Sequence, residues 1–292
     1  SPVLHFTGQT ATDNLDKNQG TVHDVYDQLG MLKSISKKAI RISNADDALS
    51  QLMEAVTIAL TPPMGPVSIE IPIDIQRTNI ERPSMLDQIK LPTINLQIGD
   101  TSSVDQIESI IKTSKRKILW VGNGGKYAKD EVEKFIEMGF AVVTSTLGKG
   151  VVPESNKMSF GAFNAVPLIE DFYQTLDLMI VVGSRLRGHE TRDMSLKLPH
   201  NIIQIDIDPD AEERTYKTNL FHCGDAKKVL GELADRLSNQ LSSDDEWVNE
   251  VANLKSKILQ DYKNNLGAYK DFPEVIRRVL PEDGRWVRDV TI

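Results

Sequence analysis

The clearest pattern along the chain is a series of short apolar segments, separated by amphipathic stretches, between residues 104 and 237. Four of these segments are apolar at nearly every position: residues 117–121, 141–143, 178–182 and 202–207. Strands that are buried on both faces show such continuous apolar runs, whereas half-exposed strands alternate between apolar and polar residues. The pattern therefore predicts an α/β fold with a doubly wound parallel sheet that helices cover on both faces.

The first 76 residues predict a second α/β region. Val3–Phe6 and residues 67–72 have the composition of strands. Between them, Asn44 is a candidate helix cap, with Asp46 and Asp47 in the first turn, where the helix dipole favours acidic groups. The apolar positions that follow have the i, i+3, i+4 spacing of one buried helix face: Leu49, Leu52, Met53, Val56 and Leu60. We therefore predict the order strand, loop, helix, strand.

The rest of the chain is less regular. Residues 77–103 have little periodicity and contain the breakers Pro83, Pro92 and Gly99, so we interpret them as a surface linker. Beyond the sheet, residues 244–265 predict a largely polar helix, residues 273–280 a short helix, and residues 285–292 a strand. Because both chain ends fall within strand-like runs, we expect the chain to be part of a longer protein.

These patterns divide the chain into four parts. The predicted parts are an α/β region at 1–76, a linker at 77–103, the doubly wound domain at 104–240, and a connecting helix with the start of a further domain at 241–292.

Composition narrows the class of protein. The net charge is −8 and no basic stripe is present, which argues against nucleic acid or a membrane surface as the main partner. Cys223 is the single cysteine, so no disulfide framework or thiolate metal site is expected, and a reducing cytoplasm fits best. No apolar run approaches the roughly 18 residues of a membrane helix. The histidines show no metal-ligand spacing, and we predict no metal site in this chain.

Residues that follow the predicted strands are the candidates for chemistry. Gly122, Asn123 and Gly124 end the first strand, and glycines there let backbone N–H groups approach an anion. A tight turn that needs glycine explains them equally well. Lys149 and Arg185 follow the next two strands and have the charge to bind phosphate, although a solvated lysine and an arginine in a salt bridge are the plain alternatives.

Carboxylates follow the last strands. Asp206 and Asp208 stand at the end of an apolar strand, where they can accept hydrogen bonds from ribose hydroxyls. Asp208 also has the position of a helix cap, with Pro209 at the first helical residue, and Asp225 could cap the next helix. Asp206 has no such simple structural explanation. The combination at one sheet edge favours a nucleotide site more than any single motif does.

The order of these motifs resembles the central domain of thiamine-diphosphate-dependent enzymes such as acetolactate synthase. The matching segments are KILWVGNG at 117–124, TLGKG at 146–150, VGSRL at 182–186, IDIDP at 205–209 and GDAK at 224–227. The flanks resemble the same enzymes: VLHFTGQ at 3–9 and GPVSIEIPID at 65–74 look like strands of their pyrimidine-binding domain, and WVRDV at 286–290 looks like the first strand of their diphosphate-binding domain. The resemblance implies a Rossmann-like central domain between two partial α/β domains.

The resemblance also implies an activity and its cofactors. Such enzymes hold thiamine diphosphate and magnesium between two domains, decarboxylate a small 2-oxo acid, and assemble as homodimers or homotetramers because their active sites are shared. The activating glutamate would precede Ser1, and the Gly-Asp-Gly…Asn magnesium motif would follow Ile292. We therefore assign no catalytic residue to this chain and expect it to be inactive alone. Glu70 does not match the position of the activating glutamate.

The central domain of this family binds FAD, an ADP-like nucleotide, or nothing. By resemblance, the cofactor-contact positions are Gln9, Gly122, Asn123, Gly124, Leu147, Gly148, Lys149, Arg185, Asp206, Ile207, Asp208 and Asp225. One departure is that residues 186–189 read LRGH, where acetolactate synthases place two aspartates and an arginine. Two alternatives from other classes stay open: a stand-alone nucleotide-binding module, and a non-catalytic structural chain. The strand-like regions on either side of the central domain argue against a stand-alone nucleotide-binding module, because such a module would consist of the central domain alone.

Overall fold

The computed structural model describes residues 1–286, so the predicted strand at 285–292 lies almost wholly outside the described residues. The chain divides into two compact units, Ser1–Leu96 and a second that begins at Gln97. Each unit has its own parallel sheet. Within residues 1–286, no helix combines the length and the apolar character needed to span a bilayer.

The first unit is a three-stranded parallel sheet with helices, in the order β1-β3-β2. Its strands are β1 (Val3–Gln9), β2 (Lys38–Arg41) and β3 (Pro66–Pro72), and its helices are α1 (Gln28–Ile35), α2 (Ala48–Leu60) and α3 (Ile73–Arg77). Both predicted strands and the long helix are present. The sequence pattern missed α1 and β2, because both are short and carry no clear periodicity.

The core of the first unit lies between α2 and β3. Ala55 and Ala59 on α2 are buried together with Val67 and Ile69 on β3. The helix start was predicted wrongly: α2 begins at Ala48, with Asp47 at the N-cap position. Asn44 instead accepts a hydrogen bond from the Asp46 N–H at 3.1 Å. It therefore forms the turn before the helix, which an Asn side chain does as readily as it caps.

The second unit contains a five-stranded parallel sheet in the order β5-β4-β6-β7-β8. Its strands are β4 (Lys117–Val121), β5 (Phe140–Thr144), β6 (Leu178–Val182), β7 (Ile202–Asp206) and β8 (Leu220–Cys223). Its helices are α4 (Thr101–Thr113), α5 (Lys129–Glu137), α6 (Pro167–Tyr173), α7 (Ala226–Leu237), α8 (Asp245–Asn265) and α9 (Phe272–Val279). Every residue of β4, β5, β6 and β7 is buried, as the continuous apolar runs predicted.

Helices cover this sheet on both faces, which confirms the doubly wound class. Leu119 and Val121 of β4 face a layer built from α4, α5 and α7. Ile118 and Trp120 face the opposite layer, which includes α6 and the buried Trp247 of α8. Alternate residues of one strand therefore enter two separate cores, and this is why the strand is apolar at successive positions.

The irregular segment between the units is shorter than the predicted linker of 77–103. The Asp225 N–H donates to the Gln97 carbonyl at 2.9 Å, and the His222 ring lies 2.5 Å from the Ile98 carbonyl oxygen. Helix α4 then begins at Thr101. Residues 97–103 therefore belong to the second unit, and long-range contacts with β8, which no local pattern reveals, determine where it begins.

Candidate functional site at the strand ends of the second unit

The carboxyl ends of the five parallel strands meet at one edge of the sheet. From β4 the chain passes to β5 on one side and then crosses to β6 on the other. In open α/β sheets, ligands bind beside such a reversal of strand order, in the crevice outside the strand ends. The turns after β4 and β6 flank this reversal, so the predicted residues Gly122 to Gly124 and Arg185 lie where a ligand is expected.

In the glycine turn after β4, the backbone N–H groups donate to backbone carbonyls of the protein itself. The Gly122 N–H donates to the Val182 carbonyl at 2.8 Å, and the Gly124 N–H donates to the Gly183 carbonyl at 2.9 Å. The Gly125 N–H donates back to the Gly122 carbonyl at 3.1 Å. These three donors therefore bind neighbouring backbone, and they are not available to a phosphate in this conformation.

Close backbone packing explains the glycines. A Cβ atom on Gly124 would lie 2.7 Å from the Gly183 Cα atom, and one on Gly122 would lie 2.4 Å from the Gly183 carbonyl oxygen. Gly148 is similarly tight, since a Cβ atom there would lie 2.2 Å from the Val121 carbonyl oxygen. The tight-turn interpretation thus accounts for these positions, and the residues present do not form an amide cradle for a diphosphate. Asn123 is exposed beside them.

Lys149 lies after β5, on the far side of the sheet edge from the acidic residues that follow β7. Three strand spacings, roughly 14 Å, separate β5 from β7. The Lys149 ammonium group is 3.2 Å from the Glu154 carboxylate, and about half of each side chain is exposed. Lys149 also lines a cavity of about 740 Å³ with residues of α8, including Tyr262. The neighbouring Leu147 is 54% exposed. Lys149 therefore has a carboxylate partner of its own and does not face the aspartates.

Arg185 and Asp208 form an ion pair after β6 and β7. The Arg185 guanidinium lies 3.4 Å from the Asp208 carboxylate, and Arg214 approaches the same carboxylate oxygen at 3.5 Å. Asp208 also accepts a hydrogen bond from the Asp210 N–H at 3.1 Å and so caps the turn that follows. Both residues therefore have the structural roles that the sequence offered as alternatives to nucleotide binding: Arg185 pairs with a carboxylate, and Asp208 caps a turn.

Asp206 is the acidic group with the strongest sign of a special environment. It is buried at the end of β7 and accepts a hydrogen bond from the Asp208 N–H at 3.0 Å. Burial raises the pKa of its carboxyl, and the charge of Asp208 acts in the same direction. Ile207, next to it, is half-buried. Burial and the charges of both aspartates also raise the pKa of the Cys223 thiol at the end of β8.

The other two predicted contact residues have local roles. Asp225 caps α7, because its side chain accepts a hydrogen bond from the Lys228 N–H at 3.0 Å. Gln9 belongs to the first unit, where it is buried at the end of β1 and accepts from the Thr10 N–H at 2.7 Å. The structure thus gathers the other predicted contact residues at the strand ends of the second unit, while Gln9 ends a strand of the first.

Sequence reasoning missed Glu190. Its carboxylate accepts a hydrogen bond from the Thr146 N–H at 2.9 Å, and its side chain is only 3% exposed. The Arg187 guanidinium and the His189 ring approach the same oxygen at 3.6 and 3.8 Å. No motif marks this residue, although the departure at 186–189 was a signal that the loop differs. In residues 1–286, no three acidic, His or Cys side chains group as metal ligands would.

Comparison with known proteins agrees with this architecture. Residues 104–233 match the family model for the central domain of thiamine pyrophosphate enzymes. An X-ray structure from Mycobacterium smegmatis, described as a thiamin diphosphate-dependent enzyme, superposes with a TM-score of 0.66 at 22% identity, over 84% of this chain and 47% of that one. This likeness supports the fold.

Acetolactate synthases are among the similar sequences. The large subunit from Corynebacterium glutamicum is 28% identical over 91% of this chain and 44% of its own length. The large subunit from Haemophilus influenzae is 26% identical over 92% and 48%, and the enzyme from Arthrospira platensis is 28% identical over 98% and 50%. The chain thus spans about half the length of these relatives. Residues 104–233 thus match the central domain of thiamine pyrophosphate enzymes, and most of the chain is similar to acetolactate synthases.

Proposed function

We propose that this chain is part of an enzyme that decarboxylates a 2-oxo acid and joins the resulting fragment to an acceptor, as an acetolactate synthase does. The observation that carries the proposal is the extent of the similarity. It covers 91 to 98% of this chain in two of the relatives, and so includes the first unit and the helices after residue 233 as well as the central domain. A stand-alone nucleotide-binding module would match over the central domain alone.

Thiamine diphosphate is the proposed cofactor, with magnesium at its diphosphate. When bound, it supplies an electron sink for the carbanion that forms as carbon dioxide leaves. Gln9, at the end of β1, is the contact that this chain would contribute. Among the described residues of the first unit, Glu70 is the one acidic residue that is buried, so it is the residue to consider as an acid or base for this cofactor.

Glu70 is not suited to activate that cofactor. Its carboxylate lies 2.5 Å from the Arg41 guanidinium and also accepts a hydrogen bond from the Gln28 side chain at 3.3 Å. Both contacts hold the carboxylate against other side chains of the first unit, so Glu70 already has protein partners. The residues that the structure describes therefore do not form a complete thiamine diphosphate site, and we infer that the chain alone is inactive.

For the central domain, the contacts at the strand ends favour a site that no longer binds FAD or ADP. The amides of the glycine turn are bonded to backbone, and Arg185 is paired with Asp208. The buried Asp206 is the feature that supports the opposite interpretation, a retained ribose contact. A homodimer or homotetramer is also proposed, on the ground that family active sites lie between subunits.

The proposed activity is tested by comparing this chain with a longer protein that includes the flanking coding sequence. We expect the purified 292-residue chain, with thiamine diphosphate, magnesium and pyruvate, to release no carbon dioxide above the background without protein. We expect a protein extended by its flanking coding sequence to release carbon dioxide and form a carboligation product. An extended protein without the upstream glutamate or the downstream Gly-Asp-Gly…Asn motif would contradict the proposal, as would decarboxylation by the shorter chain.

A further inference from the structure

The contacts of Glu190 join the two loops on either side of the β4 turn. Thr146 follows β5, Glu190 follows β6, and β4 lies between these strands in the sheet. The Glu190 carboxylate oxygen that accepts from the Thr146 N–H also faces the Arg187 guanidinium and the His189 ring. A backbone N–H, a guanidinium and an imidazole at one point are the donors that proteins use to hold a phosphate oxygen.

The loop fixes this carboxylate in place. Leu186 is buried although its φ is +46°, a left-handed conformation that costs a residue other than glycine free energy. Thr191 is fully buried, and its hydroxyl donates to the Arg187 carbonyl at 3.1 Å. The Leu196 N–H then donates to the Thr191 carbonyl at 3.0 Å. Glu190 therefore directly precedes a buried residue whose side chain and carbonyl are both hydrogen-bonded within the loop.

We infer that Glu190 is a built-in anion that closes the strand-end crevice to phosphate-bearing ligands. The Thr146 N–H donates to its carboxylate, and the Arg187 guanidinium and the His189 ring lie 3.6 and 3.8 Å from the same oxygen, so the carboxylate occupies the place of a bound anion. A second anion would meet a Thr146 N–H that is already hydrogen-bonded and the buried like charge of Glu190. This inference rests on the contacts of the central domain and does not depend on the proposed decarboxylase activity, which is measured separately.

The test removes the charge and keeps the shape. Glu190→Gln retains an oxygen that can accept from the Thr146 N–H, so the loop should keep its conformation. The matched control is Glu232→Gln on α7, whose carboxylate also pairs with an arginine, Arg236, at 2.7 Å. Each full chain is titrated with inorganic pyrophosphate and with ADP by calorimetry, and circular dichroism confirms that each is folded.

We expect Glu190→Gln to bind pyrophosphate about tenfold more tightly than the unmodified chain and the control do, since a fixed like charge no longer opposes the ligand. The gain should disappear when Arg187→Ala is added. Equal affinity in all three chains, including no binding in any, would overturn the inference, and so would a gain that survives Arg187→Ala. Tight pyrophosphate binding by the unmodified chain that Glu190→Gln does not improve would overturn it as well.

Folding provides a second measurement. If Glu190→Gln fails to fold in chloride buffer, inorganic phosphate at the same ionic strength should restore its circular dichroism spectrum, because phosphate would replace the missing charge. A variant that stays unfolded in phosphate contradicts the inference. ADP binding without pyrophosphate binding also contradicts it, since the donor set would then not be the site of the anion.

Discussion

At the scale of single residues, Asp206 and Cys223 are coupled by charge at the ends of β7 and β8. Cys223 is exposed and is the one cysteine of the sequence. Burial raises the pKa of its thiol, and the charges of Asp206 and Asp208 add to the effect because they oppose a thiolate. Because no other cysteine is present, the alkylation rate of the protein measures the reactivity of Cys223 alone.

We predict that Asp206→Asn lowers the pKa of the Cys223 thiol. The substitution removes a negative charge, and since that charge raises the pKa, the thiolate fraction at a given pH must increase. The rate of alkylation by iodoacetamide should therefore rise with pH along a curve displaced to lower pH than in the unmodified chain. Asp235→Asn, on an exposed part of α7, is the control. Superimposable curves for Asp206→Asn and the unmodified chain would mean that the two groups are not coupled.

At the scale of elements, the turns after β4 and β6 are in close backbone contact. Gly183 has a φ of +55°, and a Cβ atom there would lie 2.5 Å from the Gly124 Cα atom. Gly150, after β5, has a φ of +89°, and a Cβ atom added there would have no other atom within 4 Å. The two glycines thus share a left-handed backbone and differ in the space around them.

We predict that Gly183→Ala is much more destabilising than Gly150→Ala. The left-handed backbone should cost each variant about 1–2 kcal/mol. Gly183→Ala should lose about 1–3 kcal/mol more, because the new methyl group forces two turns apart. Urea unfolding followed by tryptophan fluorescence gives both free energies. Equal losses in the two variants would show that the β4 and β6 turns can separate without cost.

At the scale of the whole molecule, the segment before Gln97 is the exposed connection. Between Thr78 and Leu96, the described chain has one short 3₁₀ turn, Ser84–Gln88, and Lys90 is exposed. The central sheet, in contrast, is buried on both faces. Local opening is easiest where few backbone hydrogen bonds and apolar contacts must break.

We predict that trypsin cleaves after Lys90 before it cleaves within residues 104–237. A fragment that starts at residue 91 should accumulate, and mass spectrometry of a time course identifies it. Addition of urea below the unfolding midpoint should reduce the difference in rate, because it raises the population of the opened central domain. Early fragments with new ends inside α5 or α7 would refute this order of stability.

Local patterns were sufficient for β4, β5, β6 and β7, but they did not predict the short strand β8, Leu220–Cys223. Apolar residues at successive positions of β4 or β6 indicate burial on both faces, since neighbouring side chains of a strand point to opposite sides. Local patterns failed at α1 and β2, which are short, and at the start of α2, where Asn44 and Asp47 are both chemically able to cap.

The sequence by itself determined the class of the fold, the order of the strand-end motifs, and through that order the resemblance to thiamine-diphosphate-dependent enzymes. Tertiary structure decided how those motifs are used: the amides of Gly122 and Gly124 bond to the end of β6 and its turn, Arg185 pairs with Asp208, and Glu190 reaches the loop after β5. Each partner comes from a distant part of the chain. Residue type shows which groups can bind an anion, but only folding determines whether the protein's own groups already satisfy them.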